Sequence, residues 1–220
     1  MHHFLYLRST RLSRAFHTYF FSYDSLLIIL LGFLLINSQP TFGQTYQEVR
    51  QTYQSGELEQ ALEMVSRRAE ASQQSRWLLL AGDVHAALAK KDGFTSTHLM
   101  EAKSYYEQVL HRTEEQSRQH LKAKFAREKL GKQILVQAEA HEAQERYSEA
   151  LELMERAKLL LPNNKKTYLL AGKLAFGLKN YAVAEQNFSF LIDSLDYDGK
   201  QLQQLLNSLL AVNFLQDSSS

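Results

Sequence analysis

The 220-residue chain carries 25 Lys and Arg against 24 Asp and Glu, with 45% hydrophobic residues, two prolines, nine glycines and no cysteine. Near-balanced charge excludes a chain-wide electrostatic case for nucleic acid or an acidic membrane, and the missing cysteines exclude a disulfide framework, a thiolate metal site and a cysteine nucleophile. Scarce Pro and Gly among abundant Leu, Ala, Gln, Glu and Lys predict an all-α domain with enough apolar mass for a sizeable core.

Residues 26–36 (LLIILLGFLLI) form an uncharged apolar run, preceded by Arg8, Arg11 and Arg14 and followed by Asn37, Ser38, Gln39 and Pro40. The run falls short of the roughly 20 residues needed to cross about 30 Å of hydrocarbon, so it reads as a secretory h-region. Thr41 and Gly43 are small enough to precede a cleavage site, with Gln44 as the new N-terminus. The n-region of about 25 residues is long for this purpose and contains Asp24, which leaves two alternatives open. One is a start codon assigned too early; the other is an uncleaved signal anchor over 20–36 that adds Phe20 and Phe21. Residues 1–43 are therefore expected to be a signal peptide or a signal anchor, with membrane contact only if the segment is uncleaved. Without them 22 basic and 23 acidic residues remain.

From Thr45 onward the sequence predicts amphipathic helices separated by short breaks at 55–56, 71–74, 92–97, 112–113, 145–146, 162–164, 179–180 and 196–199. Between breaks the apolar residues keep helical spacing, as at Leu58, Ala61, Leu62 and Val65, or at Phe188, Leu191 and Leu195. Thr113 and Gln116 fit a capping box and predict a helix from near 114 to about 145, nearly 50 Å long at 1.5 Å per residue. Residues 201–216 contain no charged residue, and the leucines at 202, 205, 206, 209 and 210 predict a terminal helix that Asp198 caps. Such a helix covers the last unit of a stack, and its uncharged outer face also admits self-association. Residues 217–220 are expected to be a tail.

One template recurs along the domain. Small residues mark a first helix, as in LLLAGDVHAALA (78–89) and YLLAGKLAFG (168–177), and a second then begins aromatic-x-x-Ala before a large residue four later. The second-helix entries are Leu58-Glu-Gln-Ala61, Tyr147-Ser-Glu-Ala150 and Tyr181-Ala-Val-Ala184, with Met100-Glu-Ala102 looser. The alanines lie 41, 48 and 34 residues apart. Alanine and glycine let paired helices approach closely, while aromatics such as Tyr168, Phe176, Tyr181 and Phe188 fill the wider gap to the next pair. The pattern resembles the tetratricopeptide repeat, a helix-turn-helix unit of about 34 residues. The best match is 165–195, through Ala171, Gly172, Ala175, Tyr181, Ala184 and Phe188; 46–71 and 134–162 match in part, the latter ending at Pro162. The unit 75–111 carries about eight extra residues near 92–98, and 111–133 fits no repeat. The resemblance implies a right-handed solenoid of antiparallel helix pairs over 44–216, with 199–216 as the capping helix.

It also implies a concave groove lined by the first helix of each pair, with Arg50, Tyr53, Asp83, Glu139, Lys173 and Phe176 as candidate partner-binding residues. Arg50, Asp83, Glu139 and Lys173 stand where family members that clamp a peptide carboxylate carry asparagine, so a mixed-charge groove for another peptide is expected, or else simple filling of the helix interface. A separate basic face is expected on the helix over 112–132, where Arg118, Lys122 and Lys129 share one side and Leu121, Phe125 and Ala126 the apolar side. It reads as a solvent-facing helix, or as a surface for an acidic partner or a membrane.

The sequence contains no phosphate-binding loop, Gly-x-Ser-x-Gly elbow or His-Glu-x-x-His pair. His85, His98, His111, His120 and His141 have no ligand spacing and are expected at the surface or between helices. Glu139, Glu142, Glu145 and Glu149 read as a solvated face rather than a carboxylate pair. Neither metal, cofactor nor catalysis is expected. The leading expectation is an exported, periplasmic or cell-envelope scaffold that binds a protein or peptide, with no nucleic acid. The alternative is a membrane-tethered regulator with an uncleaved anchor and the basic helix near lipid or an acidic partner.

Overall fold

A computed structural model describes residues 45–195 and 199–217. The apolar run 26–36, the expected cleavage point after Gly43, the expected cap Asp198 and the tail beyond 217 lie outside the described residues. Within them are nine helices and no strand: α1 (Tyr46–Gln54), α2 (Leu58–Ser72), α3 (Ser75–Lys91), α4 (His98–Arg112), α5 (Arg118–Glu142), α6 (Tyr147–Leu160), α7 (Lys165–Gly177), α8 (Tyr181–Leu195) and α9 (Lys200–Asp217). They pack as neighbouring pairs, α1 with α2, α3 with α4, α5 with α6 and α7 with α8, and α9 lies against α8. The first helices also touch, α1 against α3 and α3 against α5.

Every pair turns in the same way. A residue at each turn adopts left-handed backbone, namely Gly56 (φ 88°), Gly93 (φ 64°), Glu145 (φ 59°) and Lys179 (φ 60°), and in the second pair Phe94 (φ 60°) follows Gly93 in the same region. The next amide then reaches back over the last helical turn, as Arg146 N does to the His141 carbonyl at 3.0 Å and Asn180 N to the Ala175 carbonyl at 2.8 Å. This closure satisfies carbonyls that the helix end would leave orphaned. Five residues after Gly56, Glu145 and Lys179 come Ala61, Ala150 and Ala184, and all three are fully buried, as is Ala102 in the remaining pair. Four residues further on stand Val65, Tyr106, Met154 and Phe188, each at most 1% exposed. The alanine lets the second helix close on the first, and the large residue one turn later fills the space beside it.

Glycines in the first helices serve the same approach. A Cβ at Gly82 would stand 2.7 Å from Tyr106 Cε1, one at Gly131 would meet Leu160 and Leu161, and one at Gly172 would overlap the Phe188 ring. Three apolar clusters follow one another along the chain, the first centred on Val49, Val65, Trp77 and Val84, the second on Tyr106, Ile134, Met154 and Leu160, the third on Phe188, Leu191 and Leu209. Polar struts join successive pairs. Lys158 on α6 donates to Asn187 Oδ1 at 2.8 Å on α8 and lies 5.3 Å above the Tyr168 ring. Arg156 on α6 donates to the Phe94 carbonyl in the turn between α3 and α4.

Two sequence expectations need correction. Thr113 does not open a helix: its hydroxyl donates back to the Val109 carbonyl at 2.7 Å, and the cap of α5 is Ser117, whose oxygen accepts from His120 N at 3.2 Å. Of residues 111–133, expected to fit no repeat, 118–133 form the greater part of α5 and belong to the third pair. The eight extra residues of the second unit are not all in its turn, because half of them lengthen α3 by one helical turn before Gly93 and only the remainder extend the loop before α4. No helix among the described residues is long and apolar enough to cross a membrane.

Candidate functional site

Because α1, α3 and α5 lie side by side, side chains from three separate pairs meet over one open cavity of about 590 Å³. Arg50 and Tyr53 enter from α1, Asp83 and Lys90 from α3, and Lys122, Phe125 and Lys129 from α5, with Tyr106 of α4 at the base. A second cavity of similar volume continues from it, sharing Lys90, Phe125, Lys129 and Gln133 and extending past Phe94, Lys132 and Val136. Together they form a trough along α5. Its far length exists because α5, at 25 residues, is much longer than the other first helices.

The trough has one buried polar centre. Tyr106, 1% exposed, donates its hydroxyl proton to Asp83 Oδ1 at 2.9 Å. Burial disfavours the charged carboxylate and pushes Asp83 up to about 6, against the Tyr106 hydrogen bond and the nearby Lys122 and Lys129, which favour ionisation. The Tyr106 hydroxyl is pushed well above its ordinary range, first by burial and then by Asp83. Tyr53 is raised by the same two causes. A carboxyl that is part protonated near neutral pH therefore sits under a basic rim.

The structure brings together residues that the sequence treated as two surfaces. Arg50, Tyr53 and Asp83, read as groove, share the first cavity with Lys122 and Lys129, read as a separate basic face. Arg118 is exposed at the start of α5 and lines neither cavity. Nor do Glu139, Lys173 and Phe176. Glu139 forms an ion pair with Lys166 of α7, Lys173 is exposed on α7, and Phe176 packs edge-on to Tyr181 with ring centroids 5.7 Å apart. The expected apolar side of α5 is not its buried one: Leu121 and Phe125 are exposed, whereas Ala123, Leu130, Ile134 and Ala138 face the core. Lys90 and Val136 escaped sequence reasoning, although Val136 stands three helical turns from Phe125 and so on its face of α5; Lys132 was legible as the last cation of the basic helix 112–132.

A second polar cluster lies outside the trough. His85 Nδ1 and His98 Nδ1 are 3.0 Å apart, and Tyr105 stacks on His85 with centroids 5.5 Å apart. The two imidazole centroids are 5.2 Å apart, close to the contact distance plus the two ring radii, so the nitrogens meet head-on and one ring donates to the other. Among the described residues no group of three His, Cys, Asp or Glu is placed to hold an ion. Burial, and next the neighbouring His98, lower His85 to about 4.

Comparison with models of known protein families and with curated proteins gave no match, so the reading rests on the geometry of the trough.

Proposed function

We propose that the chain is a non-enzymatic scaffold of tetratricopeptide type, a right-handed stack of helix pairs whose concave side holds a segment of another protein, exported by residues 1–43 to the periplasm or cell envelope. The observation that carries the binding reading is the trough itself: three helices from different pairs converge, yet Phe125 remains 68% exposed within it. A side chain of that size left uncovered beside unfilled space costs apolar surface that a partner would recover. Stacked pairs also suit recognition because their side chains lose little further freedom on binding.

The test is a photoreactive phenylalanine analogue at position 125 in cells, with the same analogue at Leu159, an exposed position on α6, as control. The scaffold reading expects a discrete cross-linked protein from 125 and none from 159. Equal labelling from both positions, or none from either, overturns it. N-terminal sequencing of the cellular product tests export: Gln44 at the terminus fits cleavage, and an intact Phe4 replaces export with the anchored form.

A further inference from the structure

The trough has a charge and a spacing that select its occupant. Phe125 and Val136, 68% and 65% exposed, are the most exposed large apolar side chains of the described residues. Both are on α5, eleven residues apart, so they mark two apolar stations about 16 Å apart on one helical face. Lys129 and Lys132 lie between them and Lys90 faces them from α3, with Lys122 at the near end. None of these four lysines closes an ion pair with a described residue, whereas Lys91, Lys103, Lys158 and Lys166 each close onto a carboxylate. Against them the trough offers only Asp83, engaged by Tyr106, and Glu128.

We propose that the trough takes an acidic amphipathic helix of another protein, its apolar residues on Phe125 and Val136 and its carboxylates against Lys90, Lys129 and Lys132. This deepens the scaffold reading and rests on it. An opposing helix places apolar side chains eleven residues apart on one face, matching the two stations. An extended segment covers about 16 Å in five residues, an odd number that sends the two side chains to opposite faces. Charge argues against the chain's own residues 1–43 as occupant, since they carry Arg8, Arg11 and Arg14 against Asp24 alone.

The test uses the full-length protein and three labelled helical peptides of about 18 residues, followed by fluorescence anisotropy. The first has leucines along one face and glutamates on both flanks; the second replaces every glutamate by lysine; the third keeps the first composition with the leucines scattered around the helix. The proposal expects saturable binding of the first alone, weakened by added salt. It also expects at least about a tenfold loss in Lys129→Glu/Lys132→Glu and in Phe125→Ser, with Arg118→Glu unchanged. Because these side chains are exposed, circular dichroism should show all variants folded. Equal binding of the lysine or scattered peptide, no binding of the first, or an unaltered double variant overturns it. So does capture of phosphatidylserine vesicles or of a second copy of the chain through Phe125 in place of the peptide. Where the analogue at 125 still captures a protein but the acidic helix does not bind, this inference falls and the scaffold reading stands.

Discussion

Gly172 and Gly177 lie on the same short helix, and one methyl group should separate them sharply. At Gly172 an added Cβ overlaps the Phe188 ring, which is fully buried and has nowhere to move, whereas at Gly177 nothing lies within 4 Å. Alanine is favoured over glycine by about 1 kcal/mol in a helix interior, but overpacking a rigid core costs about 1–3 kcal/mol. Gly172→Ala is therefore expected to lower unfolding stability by up to about 2 kcal/mol and Gly177→Ala to leave it level or slightly raised, as read from urea midpoints. Two buried groups should give opposing pH dependence. Asp83, raised from 3.8 to about 6, contributes stability that is complete below 3.8 and lost as pH rises through 6. His85, lowered from 6.5 to about 4, contributes stability that is complete above 6.5 and lost as pH falls toward 4. The two slopes offset each other between about pH 4 and 6. Asp83→Asn should gain on the wild type by roughly 1–2 kcal/mol between pH 4 and 7, while His85→Gln should flatten the acid limb, both measured by thermal melts across pH. The small residues were legible in the sequence because Gly and Ala at helical spacing have few other uses in such a domain. The His85–His98 contact was not, since it depends on the length of the loop between α3 and α4.

At the scale of the helix pair, the repeated turn makes a demand that only the first of the four pairs meets with glycine alone. Gly56 and Gly93 adopt left-handed backbone freely, but Phe94, Glu145 and Lys179 hold it with a Cβ, at roughly 1 kcal/mol each. Lys179→Gly and Glu145→Gly are each expected to stabilise the protein by about 0.5–1 kcal/mol, and because the turns are far apart the double variant should show the sum in chemical denaturation. The order of helices and nearly all their breaks could be read from the sequence, because each break combines a loss of apolar periodicity with a turn residue. The exception is instructive. Thr113 with Gln116 and Ser117 with His120 are both plausible starts, and the choice falls on Ser117 because the Thr113 hydroxyl is already satisfied by the helix behind it. That preference depends on where α4 ends, which pattern alone leaves open within a turn.

Over the whole domain, three apolar clusters in series and contacts mostly between neighbouring helices predict that stability varies along the chain. Among the described residues α9 packs chiefly on α8, whereas α5 packs on α3, α4 and α6. Hydrogen exchange followed by mass spectrometry should therefore show α9 exchanging first and the amides around Ile134 and Met154 last; uniform protection would mean that the stack opens as a single block. The union of Arg50, Tyr53 and Asp83 with Lys122 and Lys129 was illegible in the sequence for a reason of the same scale. It follows from the lateral approach of α1, α3 and α5, each separated by an intervening helix, and no local pattern records that approach. The clasp between Arg156 and the Phe94 carbonyl belongs to this scale too. The longest loop in the described domain is buttoned at Phe94, itself 2% exposed, to the pair that follows it. A newly made chain thus cannot finish that corner until α6 has emerged from the ribosome, so the second hairpin stays provisional through about sixty further residues of synthesis and is sealed only by its successor.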